Sequence, residues 1–197
     1  MRVTVFDYGA GNLHSLVRAL AAAGAVATLE DDPARLDRAP LLVLPGVGAF
    51  APAAMRLAPV RARLRAALAD GLPCLGVCLG MQLLFDSSEE GAGAGLGLVP
   101  GCVRALATRR RPHMGWNRLE PTHAGATSLE WAYFAHGFVA TPEDPSVITA
   151  WCTHEDHRFP AIVRTARTVG VQFHPEKSGP AGRGFVRQML EEVQSCV

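Results

Sequence analysis

Cys74-Leu75-Gly76-Val77-Cys78-Leu79-Gly80-Met81-Gln82 is the stretch on which the fold turns. Cys74–Val77 is a short apolar run that ends in Gly-x-Cys-x-Gly, so the pattern predicts a buried strand passing at once into a helix over Leu79–Phe85. Two glycines around one cysteine permit a strained turn that lifts the middle side chain above the sheet. A thiol there would stand at a helix N-terminus, with the Leu79 N–H facing a developing oxyanion. A buried cysteine packed beside a tight turn fits the same residues.

The flanking segments extend the strand–helix pattern. Arg2–Phe6 alternates and is β-branched, as in a strand. Asn12 is the expected N-cap of a helix over Leu13–Ala23 that Gly24 ends. Ala25–Leu29 is a second strand, and Leu41–Leu44 has the unbroken apolar character of a parallel strand covered on both faces. Residues 59–70 carry Val60, Leu64, Ala67 and Leu68 on one helical face, between Pro59 and Gly71. Downstream, residues 133–139, 147–152, 161–166 and 169–173 form closely spaced strands with antiparallel pairs at one edge, before a closing helix near 183–195. The pattern predicts a single doubly wound α/β sheet, mostly parallel but mixed, flanked by helices. With no linker and no internal repeat, residues 1–197 are expected to form one domain.

Composition narrows the function classes. The chain is 49% hydrophobic and 19% charged, which fits a globular protein rather than a disordered one. A net charge of +1 argues against nucleic acid or an anionic membrane as partner, and Arg109–Arg111 is too short a run to alter that. Met1–Asp7 is apolar for too few residues to be a signal peptide or membrane span. Five cysteines without a disulfide framework or a second metal-binding pair suggest a reducing, cytoplasmic setting and no metal site. Lys177 is the only lysine among 19 basic residues, and asparagine occurs only at positions 12 and 117. Residue types this scarce are expected where substitution is hard.

A thiol nucleophile needs a base. Gly170-Val171-Gln172-Phe173-His174-Pro175-Glu176 reads as a strand ending in His-Pro-Glu, with Pro175 holding His174 extended. Side chains at i and i+2 of an extended segment share a face, which would set Glu176 beside His174 to fix its tautomer. A His and a Glu on a solvated strand end are the alternative. His154 and Asp156 have the same spacing, but Thr153–Arg158 is polar and reads as a surface turn. After the third strand, Pro45-Gly46-Val47-Gly48 can turn backbone amides toward a ligand. It is not a dinucleotide fingerprint, because it follows the wrong strand and lacks the acidic residue about twenty positions on.

Together these segments resemble the class I (triad) glutamine amidotransferases over nearly the whole chain. The resemblance implies that Cys78 attacks a glutamine carboxamide, that His174 activates the thiol and protonates the departing ammonia, and that Glu176 orients His174. It assigns the oxyanion hole to the Gly46–Val47 peptide and the Leu79 N–H, and substrate contacts to Gly48 and Gln82. Five segments narrow it further: Asp7–Leu13, Pro45–Phe50, Gly76–Phe85, His113–Asn117 and Gln172–Gly179. In order and content they are similar to the family of glutaminase subunits of imidazole glycerol phosphate synthases. That family hands ammonia to a (β/α)8-barrel cyclase, which makes imidazole glycerol phosphate and aminoimidazole carboxamide ribotide in histidine biosynthesis. The implied complex is a heterodimer without a cofactor, with Asn12, Asn117 and Lys177 at the partner interface. One departure stands out: Gly137 and Phe138 occupy positions where that family usually carries hydroxyl groups. The alternatives are a glutaminase component of another class I amidotransferase, a stand-alone cysteine hydrolase, and a binding module that has lost turnover.

Overall fold

The computed structural model describes residues 1–195, with side chains through Glu192. In chain order the regular elements are β1 (Arg2–Phe6), α1 (His14–Ala22), β2 (Val26–Glu30), β3 (Leu42–Leu44), α2 (Phe50–Leu57), α3 (Arg61–Ala69), β4 (Cys74–Val77) and α4 (Leu79–Gln82). They continue through β5 (Ser87–Ser88), β6 (Gly101–Ala105), β7 (His113–Arg118), β8 (Glu120–Pro121), β9 (Trp131–His136) and β10 (Phe138–Pro142). The last are β11 (Ile148–His154), β12 (His157–Thr165), β13 (Thr168–Val171) and α5 (Gly179–Ser195).

Eight strands make the main sheet, in the order β2-β1-β3-β4-β13-β12-β11-β8. From β2 to β13 every neighbouring pair is parallel. The remaining pairs toward β8 are antiparallel, as expected for one edge. Strand alternation builds a core on each face. Val3, Val5, Val43, Leu75 and Val77 join the side chains of α1 and α5, while Phe6, Leu42, Leu44 and Cys74 join those of α2, α3 and α4. This is the doubly wound arrangement, and its parallel strands are apolar on both faces for that reason. Beside the sheet stand the antiparallel pair β7–β9 and the three-stranded group β10-β6-β5. Among the described residues no helix is long and apolar enough to cross a membrane.

Several boundaries differ from expectation, each for a local reason. Asn12 does not cap α1: Leu13 occupies the cap position, and Asn12 Oδ1 instead accepts from the His14 N–H at 2.8 Å in the approach to the helix. The helix expected over 59–70 begins at Arg61, because Pro59 lies in a separate 3₁₀ turn, Ala58–Val60. α2 was not foreseen, and its first N–H is satisfied from afar by Glu90 Oε2 at 3.0 Å. The helix expected over Leu79–Phe85 stops at Gln82. Its continuation is pre-empted by a returning segment, whose Leu96, Leu98 and Gly97 N–H groups take the carbonyls of Leu83, Leu84 and Phe85. The strand expected over 133–139 divides at Gly137 into β9 and β10, which join different sheets. The closing helix begins earlier than expected, at Gly179.

Candidate active site

Cys78, His174 and Gly46 meet just beyond the carboxyl ends of β4, β13 and β3, the edge at which parallel α/β sheets bind their ligands. Cys78 has φ 46° and ψ −102°, a strained backbone for a residue with a side chain. Its N–H donates to the Val171 carbonyl at 2.7 Å, tying the elbow to the end of β13. Close approach explains the glycines on either side. A Cβ on Gly80 would stand 1.9 Å from the Leu44 carbonyl oxygen, and one on Gly76 would stand 2.8 Å from the Gly80 backbone. Gly46 is as constrained, since its Cβ would lie 2.8 Å from the Cys78 Cβ and 3.0 Å from His174 Cε1.

His174 stands beside Cys78, both against Gly46, and is 4% exposed at its side chain. Its Nδ1 is 2.7 Å from Glu176 Oε1, which leaves Nε2 for the thiol. Burial pulls this imidazole down, but the hydrogen bonds and charges of Cys78 and Glu176 outweigh it and raise the pKa to about 9. The arrangement therefore favours an imidazolium between two acidic groups, and can take a proton from sulfur. Cys74, four residues earlier, is buried within β4, and burial drives its thiol pKa far up. Of the two cysteines, only Cys78 has a base at hand.

Glu176 reaches His174 by a different geometry from the one expected. His174 is extended, but Pro175–Lys177 is a 3₁₀ turn, so Glu176 folds back onto the ring instead of alternating with it along a strand. Proline at the start of that turn supplies the needed φ. Ser178 pins the turn: its hydroxyl donates to the His174 carbonyl at 2.7 Å and accepts from the Tyr133 N–H at 2.9 Å. The His174 N–H donates to the Tyr133 carbonyl at 2.8 Å, so β9 grips the base from above.

A second side chain also reaches the sulfur: Gln172, in the bend just past the end of β13, has Nε2 donating to Cys78 Sγ at 3.5 Å. Gln172 is fully buried, and its Oε1 accepts from Gln82 Nε2 at 3.2 Å. Gln82 Nε2 also donates to the Phe138 carbonyl at 3.0 Å. That carbonyl receives His136 Nδ1 as well, at 3.0 Å, and His136 Nε2 meets His113 Nδ1 at 3.2 Å. Both rings are held neutral. Burial first, then neighbouring histidines, push His113 to about 4 and His136 to about 3. Gln172, Ser178 and the two histidines were not foreseen as parts of the site. For Gln172 the only signal was a polar amide two residues before the histidine, in an otherwise apolar stretch.

The other expected residues are distributed as follows. Leu79 opens α4, where first-turn N–H groups have no partner within the helix. Val47 is half-buried beside Gly11, and Gly48 is exposed near Leu79. Asn12 and Lys177 are exposed. Asn117 is half-buried, and its amide nitrogen is bonded to the Thr153 carbonyl at 2.9 Å and to His113 Nε2 at 3.3 Å. His154 ends β11 before the tight Glu155–Asp156 turn, with Nε2 on the Arg110 carbonyl at 3.0 Å. Among the described residues no group of three or more His, Cys, Asp or Glu is disposed to hold a metal.

Comparison with known proteins agrees with this geometry. Residues 4–193 match the family described as Glutamine amidotransferase class-I. The chain is 41% identical to the imidazole glycerol phosphate synthase subunit HisH of Microcystis aeruginosa, covering 98% of this chain and 96% of that one. It is 43% identical to HisH of Halobacterium salinarum, covering 96% and 92% respectively. A crystal structure of a glutamine amidotransferase shares the fold with a TM-score of 0.77 at 21% identity, covering 98% of each chain. In PurLQS from Thermotoga maritima the fold recurs with a TM-score of 0.74 at 20% identity, over 99% of this chain and 98% of that one. By sequence and by architecture, this chain belongs to the class-I glutamine amidotransferase family.

Proposed function

We propose that this chain is the glutaminase subunit of an imidazole glycerol phosphate synthase, with Cys78, His174 and Glu176 as its triad. The observation that carries the chemistry is a cysteine on a strained elbow, beside a buried histidine whose Nδ1 is 2.7 Å from Glu176. The full-length likeness to synthase subunits carries the pathway.

Hydrolysis begins when the Cys78 thiol gives its proton to His174 Nε2. The thiolate attacks the carboxamide carbon of glutamine, and the π electrons move onto the oxygen, which the Leu79 N–H and the Gly46–Val47 peptide receive. His174 returns the proton to nitrogen, the C–N bond breaks, and ammonia departs from a thioester. Water, deprotonated by His174, then releases glutamate and restores the thiol. Glu176 holds the imidazolium through both transfers. Both Gln82 amide hydrogens are engaged, one to Phe138 and one to Gln172, so its carbonyl is the end free to accept from the substrate's α-ammonium group. Gly48 lines the same mouth.

The ammonia acceptor is a (β/α)8-barrel cyclase bound as the second half of a heterodimer. Residues 1–197 act as one domain in the cytoplasm. Asn12 and Lys177, both exposed, suit the interface. Asn117 contributes through the strand it orders, since its amide is engaged within the subunit. Glutamine hydrolysis measured with and without a co-purified barrel cyclase tests the proposal. The expected result is stimulation by the cyclase and its ligand. Equal rates with and without the partner would overturn the subunit assignment, and no hydrolysis in either would overturn the triad.

A further inference from the structure

We propose that Gln172 is a catalytic residue, a second hydrogen-bond donor to the Cys78 sulfur that holds it as thiolate alongside His174. The inference rests on Cys78 being the nucleophile. The orientation of the Gln172 amide is forced from a distance. A backbone carbonyl can only accept, so Phe138 O requires the nitrogen end of Gln82. That nitrogen's second hydrogen meets Gln172, which must present its oxygen, Oε1. The remaining end, Nε2, faces Cys78 Sγ at 3.5 Å. His136 Nδ1–H shares the Phe138 carbonyl, and its neutral Nε2 accepts from His113, whose own Nε2 accepts from Asn117. The histidine donors end on the Phe138 carbonyl, while on its other side Gln82 donates to Gln172 and Gln172 donates to the sulfur.

The surroundings make that end consequential. Gln172 is fully buried, so no water competes for the sulfur from its side. The Ala135 carbonyl lies 3.9 Å from Sγ and favours the protonated thiol. Gln172 opposes it with an N–H that a thiolate accepts far better than a thiol does. The titratable groups around the pair are His174, Glu176 behind it, and the neutral His136 and His113; none of them can replace a neutral donor fixed at all pH values. The donor also acts at a definite stage. As the S–C bond forms, charge leaves sulfur for the oxyanion, so Gln172 favours the thiolate before attack and not the attack itself.

This predicts a particular signature. Cys78 alkylation by iodoacetamide, resolved by peptide mass spectrometry in the full chain, is followed against pH for the parent, Gln172→Met and Gln172→Glu. Met keeps the volume and removes the donor. Glu keeps the acceptor that Gln82 needs, so it preserves the packing even if Met does not fold. In both variants the half-maximal pH should rise by about one unit, with roughly a tenfold loss of reactivity near neutral pH. The high-pH plateau should stay within about twofold, because the free thiolate is no worse a nucleophile. An unmoved midpoint in the folded variants, or a uniform loss at every pH, would overturn the assignment to Gln172. Parent Cys78 that alkylates no faster than the half-buried Cys102 would instead sink the nucleophile itself, which separates the two ideas.

Discussion

The nucleophile and the base of this site are held by two regions built on different principles. Cys78 is held by backbone and close packing. Gly76, Gly80 and Gly46 allow β4, α4 and the loop after β3 to touch, and the elbow has no room to adjust. His174 is held by hydrogen bonds from side chains and from a strand of another sheet: Glu176, Ser178 and Tyr133. A site made by exclusion fails abruptly when one atom is added. A site made by polar contacts loses strength in steps as each bond is removed.

That contrast can be broken most severely at the sulfur. Cys78→Ala should lower glutamine hydrolysis at least about a thousandfold while keeping the elbow, since alanine accepts the same turn. Cys74→Ala should stay active, and ammonia release distinguishes the two. A dead Cys74 variant beside a live Cys78 variant would reverse the assignment. Next comes the packing side of the comparison. Gly80→Ala forces a carbon against the Leu44 carbonyl and should cost about 3 kcal/mol or more in a urea titration. A variant of parental stability would mean that the elbow is less rigid than its contacts imply.

Titration sharpens the polar side. His136 is pushed to about 3 by burial and then by His113, so below the ordinary histidine value of about 6.5 the unfolded chain takes up a proton that the folded chain refuses. Stability should therefore fall as pH drops from 6.5, by about 2 kcal/mol for His136 at pH 5. His174 has the opposite sign. Its pKa is raised to about 9, so its contribution is complete below 6.5 and is lost as pH climbs toward 9. Urea midpoints across pH should peak near 6.5, and a flat profile would contradict both assignments. The smallest effect is expected from Ser178→Ala. It leaves the Tyr133 N–H without its acceptor and should cost about 1–2 kcal/mol, with kcat reduced several-fold rather than abolished. A complete loss of activity would move Ser178 from the graded to the abrupt class.

The two regions were unequally legible in the amino-acid sequence. Leu41–Leu44 and Cys74–Val77 announce buried parallel strands because sheets covered on both faces need continuous apolar runs, and the elbow glycines announce their turn. The β6 and β7 segments announce little. Gly101–Ala105 and His113–Arg118 mix glycine, arginine and aromatic residues, and their pairing is decided by distant partners. Glu176 illustrates the limit. The residue was identified, but by alternation along a strand, whereas proline turns the chain into a 3₁₀ turn and achieves the contact that way.

The Phe138 carbonyl has a consequence for how this protein can change over generations. The junction between the glutamine pair and the histidine pair is made there by a main-chain oxygen. Every amino acid carries that oxygen. A mutation at this codon replaces the ring and leaves the connection untouched, so the position is free to drift while its neighbours Gln82 and His136 are not.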